Sequence, residues 1–398
     1  MLHKISLGLL CFLFNLLIQG CNEQSPLAGS VLSNDTIYVN VISSDSLPLI
    51  PSADALNSKP TASYTSSLML GSAQGYQSTI LVRFAGIPDS LQTAEILSSE
   101  IILQPGRYIF GDSTINKLSF EIVELQKLWA PDATIDTLQQ SGFLGVNTIG
   151  NFDGVIPLKD TMDAVKVAIN NQVVSNWFKL KSQTKTDSSI YGIALKPNAS
   201  STVIRAFLRN TISTPNNPPI YLRVQLKKAG SQTIDTLTLS SAYDACFVKT
   251  PTPEKGSITT NCASGDYTGL NFSLKGLPTG IAIHGAYLTL TLNDAKCLTG
   301  NQYRDTIITA QFTDSIAGNI LREYYGFSGT GKSTFEFSVL NSMVESILKR
   351  GTDGTLKIFP YVSRDRARVD RLVFHGPNDP DPAKRPRLKV IYSTRPKP

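Results

Sequence analysis

The sequence predicts an all-β protein made of two tandem jelly-roll-like β-sandwiches, each with one short helix. Strand-like runs of β-branched and aromatic residues dominate the chain, and turn residues separate them. Several runs alternate apolar and polar side chains, which is typical of strands with one buried face. The second observation is that one series of landmarks occurs twice along the chain. The clearest strand-like runs are residues 36–41, 79–84, 101–103, 118–123 and 220–224.

The repeat sets the predicted domain boundaries. Each half opens on Asp-Thr-aliphatic, passes a Gly-aliphatic-Pro turn and a helix, and then has a strand that closes on proline. Phe207 precedes Pro219 by the same twelve residues that separate Phe374 from Pro386, and each proline leads into a terminal strand. We therefore predict sandwiches at residues 35–229 and 233–394. The matching segments are 35–37 and 235–237, 84–88 and 274–278, 164–178 and 339–348, and 193–197 and 356–360.

The N-terminus predicts a bacterial lipoprotein signal peptide at residues 1–20. A short positive segment precedes about 14 mainly apolar residues at 5–18, which is the size of a signal-peptide core and too short to span a ~30 Å hydrocarbon layer. Residues 17–21, Leu-Ile-Gln-Gly-Cys, resemble a lipobox. We expect lipidation at Cys21 and a polar tether over residues 21–34. A secretory signal followed by a chance cysteine is the alternative.

The predicted anchor and the charge limit the partners. We expect attachment to the outer membrane, on its periplasmic or cell-surface face, with neither nucleic acid nor nucleotide as a partner. The net charge is +6, and residues 349–398 contain thirteen Lys and Arg against five Asp and Glu. This excess suits an acidic polysaccharide, lipid headgroups or an envelope protein. A solvated edge that discourages strand pairing is the alternative.

The cysteines are consistent with export. Besides Cys21, the mature chain has Cys246, Cys262 and Cys297, which allow three pairings. We favour a Cys246–Cys262 disulfide because a bridge across the Thr/Pro/Gly-rich loop would restrain that loop. Cys297 is then expected to be a buried thiol.

Residues 326–334 match the phosphate-loop pattern G-x-x-x-x-G-K-[ST]. A functional loop of this kind leads directly into a helix whose N-terminal amides hold the phosphates. Here the following residues, 334–339, alternate like a strand. We interpret the motif as a hairpin loop and expect no nucleotide or other cofactor.

Catalytic and metal-binding patterns are weak. No serine elbow or cysteine nucleophile stands out, so we predict that the chain is not an enzyme. The mature chain has only two histidines, in unrelated contexts, and no metal site is assigned. Asn378, Asp379 and Asp381 could hold calcium through oxygen ligands, or could form a rigid loop between prolines.

Sugar binding would need exposed aromatic rings and basic side chains. Arg364, Arg366 and Arg368 alternate, so on a strand they would lie on one face and form a cationic stripe for an acidic glycan. Trp129 is a further aromatic candidate. The predicted ligand-binding residues are Arg364, Arg366, Arg368, Tyr324, Tyr325 and Tyr361.

The order of landmarks resembles the DNRLRE-type β-sandwich of bacterial surface proteins, akin to carbohydrate-binding module family 96. The resemblance implies a non-enzymatic module. Some members of the family bind acidic polysaccharides such as alginate. Two hypotheses follow: a lipoprotein whose tandem modules bind an acidic polysaccharide, or a structural or adhesive envelope spacer that supports protein partners without binding sugar. The residues that carry the resemblance are 96–103, 191–197 and 218–224 in the first half, and 286–290 and 385–392 in the second.

Overall fold

The computed structural model describes residues 38–56, 67–130, 133–159, 163–209, 219–314, 317, 319–329, 331–361 and 368–394. The predicted signal peptide, the tether and Cys21 lie outside the described residues. No helix in the described part of the chain is long and apolar enough to span a bilayer.

The fold is all-β, as the sequence predicts. Three α-helices accompany the strands in the described residues: α1 (Ile135–Gln139), α2 (Asn171–Thr184) and α3 (Asn341–Arg350). The strands of the N-terminal half are β1 (Tyr38–Ser43), β2 (Ser52–Leu56), β3 (Ser67–Ala73), β4 (Tyr76–Phe84), β5 (Glu95–Leu103), β6 (Pro105–Gly111), β7 (Lys117–Leu125), β8 (Leu144–Val155), β9 (Val165–Ala168), β10 (Ile193–Pro197), β11 (Val203–Leu208) and β12 (Ile220–Lys227). Those of the C-terminal half are β13 (Ile234–Lys249), β14 (Ile258–Asn261), β15 (Tyr267–Ser273), β16 (Ala282–Thr291), β17 (Ile307–Asp314), β18 (Ile320–Phe327), β19 (Thr334–Phe337), β20 (Asp353–Pro360), β21 (Arg371–Phe374) and β22 (Arg387–Thr394).

The first sandwich encloses one apolar core between two antiparallel layers. One layer contains β8, β7, β10 and β4, with β3, β11 and β6 beside them; the other contains β12, β5 and β9. Inward side chains of both layers and of α2 form the core, which includes Val82, Phe120, Phe178 and Leu222. Strand β13 closes both layers, because its first half pairs with β12 and its second half with β4.

The second sandwich repeats this plan. One layer runs β1-β22-β16-β19 and the other β18-β17-β20-β15-β2, and a single bridge from Phe327 to Glu336 connects them. Its core includes Phe272, Phe312 and Phe337, with Val344 and Ile347 of α3 packed against them. The segment β1–β2 occupies the place that β13 has in the first sandwich, because β1 pairs with β22 and β2 pairs with β15.

The strand pairing divides the chain differently from the predicted boundaries of 35–229 and 233–394. The N-terminal residues 38–56 close the second sandwich, and residues 234–249 close the first. Residues 35–37 of the predicted match lie outside the described residues, but the strand that follows them, β1, and the strand that contains residues 235–237, β13, each pair outside the sandwich to which the prediction assigned them. The reason is that a strand can pair with any sheet that has an open edge, and the order of elements in the sequence does not determine which sheet that is.

Two details of the predicted helices also differ. Residues 164–178 contain both β9 and the start of α2, because Asn170 caps the helix by accepting a hydrogen bond from the Gln172 amide at 2.9 Å. Helix α3 begins at Asn341, close to the predicted start of 339. The first sandwich has α1 in addition to its predicted helix.

A buried contact joins the two sandwiches. Outward residues of β3, β4, β6 and β11, among them Tyr76 and Phe110, pack with Leu298 and Val369 of the second sandwich. The Asn301 side chain accepts a hydrogen bond from the Ile109 amide at 2.9 Å. A Cβ atom on Gly300 would overlap the ring of Tyr108, so glycine permits the close approach.

Candidate functional site

One layer of the second sandwich has an outer face with several aromatic side chains. Strand residues alternate between the core and solvent, so Leu270, Phe272 and Ile358 face the core while the residues between them face outward. We define the aromatic face as the outward side of β18-β17-β20-β15-β2. Its aromatic residues are Tyr267, Tyr325, Phe327, Phe359 and Tyr361, of which Tyr325 is 44% and Phe327 56% exposed.

Strand register arranges the aromatic rings in a row across the sheet. Thr309 of β17 lies opposite both Tyr325 of β18 and Phe359 of β20. Phe359 stacks on Tyr267 of β15, with 4.6 Å between ring centroids and an interplanar angle of 26°. Tyr361 meets Tyr325 edge-on, at 6.1 Å between centroids. The row therefore runs perpendicular to the strands.

A hydrogen-bonded polar strip lies beside the aromatic row. The Asn271 amide donates to Ser52 Oγ at 2.8 Å and to Asp54 Oδ2 at 2.7 Å. The Thr355 hydroxyl donates to Asn271 Oδ1 at 2.7 Å. These bonds fix an amide, a hydroxyl and a carboxylate on the same face as the aromatic rings, with Asn271 and Thr355 four residues along their strands from the stacked pair Tyr267 and Phe359. Such groups are suited to recognising hydroxyl groups.

The charges on this face are mixed. The ammonium group of Lys357 lies 5.6 Å from the centroid of the Tyr267 ring, within range of a cation–π contact. Glu323 accepts a hydrogen bond from the Gln311 side chain at 2.9 Å. A cleft of about 300 Å³ opens on the part of the face that contains Thr355 and Lys357. Gln311, Thr313 and Leu321 also contribute to its lining.

The equivalent face of the first sandwich is covered. Outward residues of β4, β7, β10 and β13, including Leu81 and Val123, pack beneath Trp129 and Phe143 in a separate apolar cluster. The covering residues come from the eighteen-residue connection 126–143 between β7 and β8. The corresponding connection between β17 and β18 has five residues, 315–319, and the aromatic face of the second sandwich is exposed.

The aromatic residues that we predicted as ligand contacts do not all lie on the aromatic face. Tyr325 and Tyr361 lie on the aromatic face and contact each other. Tyr324 packs against the core, and its hydroxyl group is 3.0 Å from Ser342 Oγ. Trp129 is only 5% exposed and belongs to the cover of the first sandwich. Sequence reasoning missed Tyr267, Phe327 and Phe359, although the alternation within residues 267–273 and 353–361 was a signal that could have found Tyr267 and Phe359.

The predicted cationic stripe is not available through Arg368. Its guanidinium group forms ion pairs with Asp305 at 2.8 Å and Asp370 at 2.6 Å, and its side chain is 16% exposed. Burial raises the pKa of Asp305, and the nearby Arg368 opposes that shift. Arg368 therefore neutralises the buried carboxylate of Asp370 at the contact between the sandwiches and the partly buried carboxylate of Asp305. Arg364 and Arg366 lie outside the described residues.

The predicted Cys246–Cys262 disulfide is not formed; the structure has Cys246, Cys262 and Cys297 as thiols. The Cys262 thiol points to Asp305 Oδ2 at 3.8 Å, and its burial raises the pKa of that thiol. Cys246 lies on β13 and packs against the apolar clusters of the first sandwich. The sulfur of Cys297 accepts a hydrogen bond from the Val373 amide at 3.3 Å. The three side chains thus have separate partners.

The other candidate motifs have structural partners. Asp379 bonds to His375 Nδ1 at 2.6 Å and accepts from the Asp381 amide at 3.0 Å, while Asp381 accepts from the Ala383 amide and pairs with Lys384. Among the described residues, no group of three or more His, Cys, Asp and Glu could hold a metal ion. The phosphate-loop pattern at 326–334 connects β18 to β19, and a strand follows it, as predicted.

Comparison with known proteins leaves the family open. No family model matches the sequence, and no curated protein matches it. The VP2 subviral particle of infectious bursal disease virus is 11% identical with a TM-score of 0.13, over 92% of this chain and 79% of that chain. The Macrobrachium rosenbergii Nodavirus structure is 10% identical with a TM-score of 0.13, over 91% of each chain. Likeness at this level carries no argument about function.

Proposed function

We propose that this chain is a non-catalytic, lipid-anchored envelope protein that binds a glycan on the aromatic face. The observation that carries the proposal is the solvent-facing row of Tyr325, which is exposed, and Phe359 and Tyr267, which are half-buried, on the same face as a hydrogen-bonded polar strip. A group of solvent-facing aromatic rings is typical of an interaction surface. Tyrosine combines an apolar ring with a polar tip, which suits a partner whose surface alternates C–H faces and hydroxyl groups.

The internal comparison of the sandwiches supports this site. The first sandwich places mainly small and aliphatic side chains, together with Phe247, at the equivalent positions and covers them with Trp129 and Phe143. The second sandwich places aromatic and polar side chains there and has only a short connection. Since a protein gains no stability from leaving such rings in water, the exposed face is better explained by a ligand than by packing.

Acidic polysaccharide is the ligand class that we propose. Lys357 lies beside Tyr267 on the aromatic face, and Arg364 and Arg366 follow Tyr361 by three and five residues in the sequence. A uronic acid carboxylate could pair with such cations while its ring stacks on tyrosine. Because the equivalent face of the first sandwich is covered, we propose a single binding face and not two matched modules acting together.

The lipid anchor and outer-membrane location remain proposals that rest on residues 1–21. The lipid anchor is tested by growing cells with labelled palmitate, and the location is tested by separating inner and outer membranes. The label should enter the wild-type protein and be absent from Cys21→Ser. Equal labelling of the two would refute the anchor without affecting the glycan site.

The glycan proposal is tested by measuring binding of the chain from residue 21, with Cys21→Ser, to a panel of acidic and neutral polysaccharides. Tyr267→Ala and Tyr325→Ala should each weaken binding about tenfold or more, equivalent to about 1.4 kcal/mol. Tyr287→Ala is the matched control, since Tyr287 is a 41% exposed tyrosine on β16, in the other layer of the same sandwich.

Lys357→Met separates the ligand classes. It should weaken binding of acidic glycans more than that of neutral ones, and the difference should shrink at high salt. Binding of neutral glycans alone would refute the acidic assignment. No binding anywhere in the panel would refute the glycan proposal and favour the envelope spacer that supports protein partners.

A further inference from the structure

Strand β1 forms one end of the layer β1-β22-β16-β19. Among the described residues it pairs with β22 alone, from Tyr38 opposite Thr394 to Ser43 opposite Lys389. Its other edge therefore presents backbone donors and acceptors that β22 does not use. Three of its side chains are apolar and largely exposed: Tyr38 at 61%, Val39 at 63% and Val41 at 59%.

β1 differs from the other strands at the ends of the two large sheets. Each of those carries a charged residue, which discourages pairing with a further strand. The sequence of β1, Tyr-Val-Asn-Val-Ile-Ser, has no charge and no proline. The charged residues on the other end strands are Asp54 on β2, Arg107 on β6, Asp153 on β8 and Lys166 on β9.

We propose that β1 pairs antiparallel with β1 of a second copy of this chain, forming a two-fold symmetric dimer with one continuous sheet. A two-fold axis through Asn40 is compatible with the alternation of side chains along β1, because opposite residues in an antiparallel pair lie on the same face of the sheet. That register places Val39 opposite Val41 of the second copy, and Tyr38 opposite Ile42. The exposed Val39 and Val41 then cover each other, and Tyr38 covers the partly buried Ile42.

A second copy fits this edge better than a partner of different sequence. The contact is isologous, so one strand supplies both halves. Asn40 Nδ2 donates to the Tyr38 carbonyl at 3.3 Å, and the second N–H and the Oδ1 of this side chain can donate to and accept from its symmetry mate. The sequence Val39-Asn40-Val41 is symmetric about Asn40, so a second copy of the strand places a valine opposite each valine.

Sedimentation equilibrium of the chain from residue 21, with Cys21→Ser, tests the dimer. This chain contains every described element. We expect a concentration-dependent dimer that the double substitution Val39→Lys, Val41→Lys weakens at least tenfold. Val146→Lys is the matched control, because Val146 is a 95% exposed valine on the end strand β8, and it should leave the dimer unchanged.

Cross-linking tests the register without depending on the stability of the lysine variants. Under mild oxidation, Asn40→Cys should give a covalent dimer, whereas Val146→Cys and the parent chain should give little. A monomer at all accessible concentrations would overturn the proposal. So would a dimer that the lysine substitutions leave intact, or one in which Asn40→Cys cross-links no better than Val146→Cys.

Discussion

The hydroxyl group of Tyr108 donates a hydrogen bond to Asp370 Oδ1 at 2.8 Å, across the contact between the two sandwiches. The same hydroxyl oxygen accepts a hydrogen bond from the Val369 amide at 2.8 Å. Both side chains are almost fully buried, and burial raises the pKa of Tyr108 far above its ordinary value. Tyr108 therefore remains a neutral donor throughout the physiological pH range and links β6 to the segment before β21.

Tyr108→Phe should reduce the free energy of unfolding by about 1–3 kcal/mol, because it leaves the Val369 amide without its acceptor and removes one donor from a buried carboxylate. Urea denaturation measures the loss. Tyr303→Phe, at a tyrosine that is 97% exposed, should change stability by less than about 0.5 kcal/mol. Equal effects of the two substitutions would show that the hydrogen bond does not stabilise the contact.

Arg205 is a buried cation with few partners. It is 0% exposed, and within the described residues its Nε and Nη1 have no hydrogen-bond partner. Its Nη2 donates weakly to the Gly106 carbonyl at 3.4 Å, and burial lowers the pKa of its guanidinium to about 10.

Arg205→Met should therefore increase the free energy of unfolding, by about 1–3 kcal/mol, since an apolar side chain of similar length avoids the cost of burying the charge. Arg223→Met is the contrast. Arg223 pairs with Glu100 on a partly exposed surface, so that substitution should be neutral or mildly destabilising. If Arg205→Met lowered the free energy of unfolding by as much as the breaking of a buried ion pair does, the result would contradict this account.

Asp314 should make the protein sensitive to acid. A hydrogen bond from Ser346, another from the Ala317 amide, and Arg322 lower the pKa of this carboxyl to about 2. A depressed pKa stabilises the folded state above the unfolded value of 3.8, and this contribution is lost as the pH falls from about 4 to 2.

Asp314→Asn should therefore reduce stability more at pH 6 than at pH 2, measured as urea midpoints. The control is Asp163→Asn, because Asp163 has an 85% exposed side chain in a surface pair with Lys159 and should show little difference between the two pH values. The same loss for Asp314→Asn at both pH values would contradict the assignment.

The thiols can be counted directly. In the chain from residue 21 with Cys21→Ser, unfolding without reductant should release three reactive thiols, those of Cys246, Cys262 and Cys297. In the folded protein Cys262 should react slowly, because burial both shields its thiol and raises the pKa of that group. A count of one reactive thiol after unfolding would show that two of these three cysteines form a disulfide.

The sequence by itself determined the all-β class and the repeated order of elements. Period-two alternation in runs such as 220–224 reports a strand with one buried face, and this signal is local. The same local signal predicted a strand at residues 334–339, and β19 occupies Thr334–Phe337. It also placed Tyr325 and Tyr361 among the candidate contacts, since aromatic residues in a strand are readily recognised.

Tertiary structure alone decided which sheet each strand completes. Residues 38–43 pair with residues 389–394 at the far end of the described chain. Hydrogen bonding between two strands does not depend on how far apart they lie in the sequence. Arg368 was indistinguishable from a surface cation until the fold placed Asp305 and Asp370 against it. The row of Tyr267, Phe359 and Tyr325 likewise exists only because register aligns separate strands, and Tyr325 at one end of the row is exposed.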